Sequence, residues 1–139
     1  MTNPTKKEMF DAGLAIRKEV LGSEYVDRGF AIKDEFTEDI QDYLTVHSWG
    51  ASWGRRDARG ELTIPKKTRS WLNIVMLCAL NRPHELKMHI GGALRNGVTR
   101  TEIREVLLQV AIYCGIPAGV DAFRVAKETF AEFDKNEKK

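Results

Sequence analysis

Two Thr-x-x-Glu sequences, Thr5 to Glu8 and Thr99 to Glu102, constrain this chain more than any other feature. In each, the threonine hydroxyl can accept from the amide three residues on, while the glutamate carboxylate returns to the threonine amide, so a helix begins there. Phe10, Leu14, Arg17 and Leu21 follow the first box at helical spacing until Gly22 stops the run. Ile103, Val106, Leu107, Val110 and Ile112 follow the second until Gly115. The punctuation between and after them is of the same kind. Pro65 opens an apolar helix to about Leu80, and Pro83 opens one that reaches Asn96 and stops at Gly97. Pro117 restarts the chain into a last helix carrying Val120, Phe123, Val125 and Phe130. Thr37 is placed to cap a helix with Ile40, Tyr43, Leu44 and His47 on one side. No segment alternates as a strand does. The fold class is therefore all-α, with about six helices.

Two stretches carry no clear helical signal. Ser23 to Phe36 reads as irregular, and Ser48 to Leu62, with Gly50, Gly54 and Gly60, reads as a loop packed down by Trp49 and Trp53. A length of 139 residues suits one domain, 1–139, with its core at about 36–133 and an N-terminal helical extension at 5–35. Only Met1 to Pro4 and Asp134 to Lys139 look too polar to bury anything. The helix holding Trp71, Leu72, Ile74, Val75, Leu77, Cys78 and Leu80 is apolar on most sides, as befits a core or a subunit contact.

Charge narrows the function classes. Twenty-two basic residues are interleaved with twenty acidic ones, a net charge of +2 without the basic footprint of a nucleic-acid binder. The exception runs from Arg55 through Arg56, Arg59, Lys66 and Lys67 to Arg69, facing only Asp57 and Glu61. Such a run is usually a solvated loop, but it can also offer cations to a small anion. No apolar run approaches the roughly 20 residues of a membrane span, and the first ten residues lack the apolar core of a signal peptide. A cytoplasmic location is the expectation, and two cysteines, Cys78 and Cys114, suit a reducing compartment and read as core.

Chemistry concentrates in Arg82-Pro83-His84-Glu85-Leu86-Lys87-Met88-His89. Helical spacing puts Arg82, Glu85 and His89 on one side, where the carboxylate can orient the imidazole and the helix start favours an anion. By spacing alone, such a Glu–His pair is more often a surface ion pair than a catalytic dyad. His84 points about 100° away from Glu85. Three histidines without a dense carboxylate cluster offer no dedicated metal site.

The stretch from Arg69 to Ala126 resembles the carboxymuconolactone decarboxylase family, a branch of the alkylhydroperoxidase-D-like superfamily. ALNR, HELKMH, NGVTRTEIREVLLQ and YCGIPA carry the likeness, and RKEVLGSEYVD, from Arg17 to Asp27, resembles the segment preceding that domain. The resemblance implies a helical fold assembled into trimers or hexamers. The thiol-dependent peroxidase branch carries Cys-x-His-Cys-x-x-x-His at this helix start. Here Arg82 and Glu85 stand at the cysteine positions, while His84 and His89 remain. A peroxidase needs a thiolate with a resolving partner, and this motif has neither.

The reaction implied is loss of CO2 from γ-carboxymuconolactone to give β-ketoadipate enol-lactone, in the catabolism of aromatic compounds. The ring double bond and lactone carbonyl form an electron sink, so neither metal nor organic cofactor is called for. The protein must stabilise an oxyanion, protonate carbon and hold the carboxylate that stays. His89 is the candidate proton donor and Glu85 its orienting partner. Arg17, Arg55, Arg69 and Arg82 are candidates for the carboxylate, since an arginine fork is bidentate and always charged. Trp53 is a candidate wall of the substrate pocket. The expected partners are a dicarboxylate lactone and further copies of the chain, with no nucleic acid and no membrane. A peroxidase-like antioxidant protein and a non-catalytic helical oligomer are the alternatives.

Overall fold

The computed structural model describes residues 3–139, so Met1 and Thr2 of the polar N-terminal tail lie outside the described residues. The described residues form seven α-helices and one π-helix, with no strand among them beyond an isolated bridge between Arg56 and Leu62. The helices fall into two compact units, one ending at Lys66 and the other running from Lys67 to Lys139.

The N-terminal unit holds α1 (Lys6–Leu21), α2 (Ser23–Ala31), α3 (Glu38–Leu44) and the π-helix (Thr45–Trp53). The first capping box forms as expected. The Thr5 hydroxyl accepts from the Glu8 amide at 3.2 Å, and the Glu8 carboxylate accepts from the Thr5 amide at 2.7 Å. Gly22, at φ +89°, ends α1. The next stretch, expected to be irregular, is helical over Ser23–Ala31. Val26 anchors it with a fully buried side chain, and that tertiary contact outweighs the poor propensity of Gly29.

The glycine-rich segment corrects the expectation of a loop more sharply. Gly54 donates to the Trp49 carbonyl at 2.7 Å, a five-residue step that belongs to a π-helix. Gly50 is needed there for close approach rather than for a turn. A Cβ on Gly50 would stand 2.1 Å from the Met9 carbonyl oxygen, and one on Gly13 would stand 2.1 Å from that of Thr45. Helix α1 and the π-helix thus cross backbone to backbone. Trp49 and Trp53 are buried and stack with ring centroids 5.0 Å apart. Thr37 does not cap α3. Its hydroxyl donates to the Asp34 carboxylate at 2.8 Å and accepts from the Asp34 amide at 2.9 Å, closing the preceding turn.

The basic run proves largely self-satisfied. Arg56 donates to the Gly60 carbonyl at 2.7 Å, and Arg59 reaches the Asp57 carboxylate at 3.1 Å, within a turn that the Arg56–Leu62 bridge closes.

The C-terminal unit contains α4 (Lys66–Ala79), α5 (Pro83–Arg95), α6 (Arg100–Cys114) and α7 (Ile116–Glu137). Its core gathers Ile74 of α4, Leu86 and Ile90 of α5, Ile103 and Leu107 of α6, and Ala122 and Val125 of α7. Each large aliphatic side chain buried there is worth about 1.5–3 kcal/mol. The second capping box also forms, with 3.1 Å and 2.8 Å bonds between Thr99 and Glu102. Gly119 lets α7 approach α6, since a Cβ there would lie 2.5 Å from that of Ala111. The tail from Asp134 is less irregular than its polarity suggests, because α7 continues to Glu137 while Arg100 holds Asp134 at 2.5 Å.

Cys78 is buried as expected, but Cys114 is exposed at the end of α6. Met76 of α4 and Leu80 just after it, with Ile112, Tyr113, Ile116 and Val120 around the α6–α7 junction, are likewise exposed. No helix among the described residues is long and apolar enough to cross a membrane.

Candidate active site

Pro83 in the first turn of α5 directs that helix so that Leu86 and Ile90 enter the core. Glu85 and His89, one step off those anchors, are then half-buried at its edge. The i, i+4 spacing brings the Glu85 charge to bear on the imidazole. Burial nevertheless prevails and pushes the His89 pKa down to about 4, with Glu85 opposing the fall. The ring is neutral at pH 7.

Its orientation comes from a residue that helical spacing within α5 could not reveal. Asn73 of α4 places its amide nitrogen 3.4 Å from His89 Nδ1. An amide NH2 only donates, so Nδ1 accepts and the ring proton sits on Nε2. Asn73 lies between Trp71, Leu72, Ile74 and Val75, and that isolated polarity in an apolar helix was the available signal. A neutral imidazole with Nε2–H can donate to an oxygen that gains charge, and it becomes an acid once a nearby anion favours imidazolium.

The other predicted residues are carried by several different elements. Arg82 is exposed at the start of α5, with non-helical dihedrals of φ −115° and ψ 72°. It lines a cavity of about 290 Å3 with Leu86, Pro117 and Asp121, and neither Glu85 nor His89 lines that cavity. The shared face expected for Arg82, Glu85 and His89 fails for this reason, because Arg82 precedes the helical phase. Cys78 also faces this cavity, but burial pushes its thiol up to about 11, so it is not a ready nucleophile. His84 is exposed on α5 and His47 on the π-helix, where the latter ring packs on Tyr43 with centroids 4.4 Å apart.

Arg55 is exposed, Arg69 is half-buried on α4, and Trp53 is buried against Trp49 in the N-terminal unit. Arg17 is the buried arginine of the four. Gln41 and Thr45, neither of them singled out by sequence patterns, hold its guanidinium from α3 and the π-helix.

This all-helical chain belongs to a known class. Residues 38–128 match the carboxymuconolactone decarboxylase family, and the chain belongs to that family. It is accordingly a decarboxylase, a carboxy-lyase. It is 35% identical over 126 residues to a 4-carboxymuconolactone decarboxylase of Acinetobacter baylyi, covering 91% of this chain and 90% of the relative. It is 37% identical over 134 residues to the nitrosuccinic acid decarboxylase of Metarhizium robertsii, covering 96% and 90%. A 4-carboxymuconolactone decarboxylase of Pseudomonas putida is 36% identical over 45 residues, covering 32% of this chain and 94% of that relative.

Proposed function

We propose that the chain decarboxylates γ-carboxymuconolactone to β-ketoadipate enol-lactone without a cofactor, as a step of aromatic catabolism, with His89 as proton donor. The observation that carries this reading is the neutral, half-buried imidazole of His89, set between the Glu85 charge and the Asn73 amide. The thiol pair of a peroxidase is replaced there by Arg82 and Glu85.

The chemistry asks for three things. The bond to the departing carboxylate breaks heterolytically, CO2 leaves, and its electron pair moves through the ring double bond onto the lactone carbonyl oxygen. His89 Nε2–H donates to that oxygen as its charge grows. A proton then goes to the ring carbon beside the carbonyl, regenerating the lactone. A dianionic substrate beside His89 acts in the same sense as Glu85 and raises the ring's proton affinity, so the acid is armed when substrate arrives. An arginine holds the carboxylate that stays.

A second substrate has a specific observation in its favour, the 37% identity to a nitrosuccinic acid decarboxylase. A nitro group is also an electron sink, and nitrosuccinate also keeps one carboxylate while losing the other. Purified protein offered each compound separately, with CO2 release and loss of substrate absorbance followed, decides between them. Turnover of neither would overturn the decarboxylase assignment to these substrates.

The active form is a closed homo-oligomer, a trimer or hexamer, in this reading. The exposed apolar side chains at the end of α4 and at the α6–α7 junction support it, since a lone chain would leave Met76, Leu80, Ile112, Tyr113 and Val120 in water.

A further inference from the structure

A cavity in the N-terminal unit has a composition that the dyad does not use. It measures about 500 Å3 and is lined by Arg17, Arg28 and Lys33 together with Tyr25, Thr37 and Gln41, and by Gly29 and Ile32. Three cations and no carboxylate line it.

Arg17 is the informative member. Only 5% of it is exposed, yet it makes no ion pair among the described residues. One end of its guanidinium is satisfied, with Nη1 and Nη2 donating to Gln41 Oε1 at 3.1 and 3.2 Å and Nη1 donating to Thr45 Oγ1 at 3.1 Å. Thr45 passes its own proton to the Gln41 main-chain carbonyl at 2.7 Å, which leaves its oxygen to accept from Arg17. Nε is buried without a hydrogen-bond partner. The Nε–Nη2 edge is thus held rigidly, carries two N–H vectors in parallel, and is the edge that grips a carboxylate in two bonds. A buried charge with no counter-charge is costly unless something completes it.

The surroundings add to this. Arg17 and Lys33 both lie 5.6 Å from the centroid of the Phe30 ring, so two like charges are gathered around one aromatic side chain. Lys33 and Arg28 touch carboxylates only loosely, Asp42 and Glu24 respectively, each at 3.7 Å. Both can turn toward a ligand at little cost. Tyr25, Gly29 and Ile32 provide a wall for a short carbon skeleton.

We infer that this cavity binds a small dicarboxylate, one carboxylate on the Nε–Nη2 edge of Arg17 and the other between Arg28 and Lys33. The inference rests on the decarboxylase reading only in that its substrates are dicarboxylates; the site is defined by binding, not by turnover. A planar carboxylate fits the parallel N–H pair, whereas tetrahedral phosphate has no use for the apolar wall.

The test is calorimetric titration of the full-length protein with succinate at low salt, where decarboxylation plays no part. Saturable binding is expected, weakened at least about tenfold in Arg17→Gln and about threefold in Arg28→Gln and in Lys33→Gln. Arg28 is largely exposed, so its variant folds even if the loss of Arg17 does not permit folding. Gly29→Leu adds bulk where a Cβ meets no atom within 4 Å, and it is expected to weaken binding with all charges kept. Absence of saturable succinate binding, equal affinity in the Arg28, Lys33 and Gly29 variants, or phosphate binding as tightly as succinate would overturn the inference. Failure of catalysis with intact succinate binding would count against the proposed reaction alone.

Discussion

Burial of His89 ties the stability of the protein to pH, and the effect can be worked out in sign and size. Above pH 7 the ring is neutral in the folded and unfolded chain alike. Below about 6.5, its ordinary value, the unfolded chain takes up a proton that the folded chain refuses until about pH 4. Stability is therefore full above pH 6.5 and lost as the pH falls toward 4. The loss attributable to His89 totals roughly 3 kcal/mol, about 2 kcal/mol of it by pH 5. Urea unfolding of the wild type and of His89→Asn between pH 7.5 and 5 isolates this contribution, because other titrating groups are common to both. The wild-type advantage, whatever its size at pH 7.5, is expected to shrink by about 2 kcal/mol at pH 5. NMR titration of the imidazole gives the same quantity directly. Parallel stability curves, or a ring that titrates near 6.5, would refute the claim that burial governs this histidine. They would also remove the argument that substrate charge arms it.

Further expectations concern rate, packing and assembly. His89→Asn is expected to lower kcat by about 10²–10⁴ with a smaller change in KM. Glu85→Gln should lower it as well, and the double variant should fall well short of the product of the two losses, as steady-state kinetics will report. Asn73→Leu keeps the branching and number of heavy atoms but removes the amide at Nδ1, so kcat should fall about tenfold or more while far-UV dichroism stays unchanged. Gly50→Ala forces a methyl to within 2.1 Å of the Met9 carbonyl oxygen and is expected to cost about 3 kcal/mol or more in thermal or urea unfolding, despite the better helix propensity of alanine. Light scattering at micromolar concentration should find a stable oligomer, and Ile112→Glu should shift it toward smaller species; a wild-type monomer would contradict the reading of the exposed apolar face.

Local chemistry made much of this protein legible from its residues alone. The two capping boxes, the glycine stops at Gly22 and Gly97 and the first-turn proline at Pro83 act over three or four residues, and each stands where the sequence puts it. The spacing of Glu85 and His89 is local too, and so is the buried phase of Arg17 on α1. What only the tertiary structure decided depends on atoms distant in sequence. Gly13 and Gly50 are a backbone crossing rather than turn residues because α1 happens to pass the π-helix there, and no local rule contains that approach. Asn73 and His89 meet from different helices. Arg17 depends on Gln41 and Thr45, more than twenty residues away, to present its free edge. Helix starts and stops are paid for by neighbouring amides, whereas the protonation of an imidazole and the reach of a guanidinium are set by the dielectric and the partners that folding brings around them.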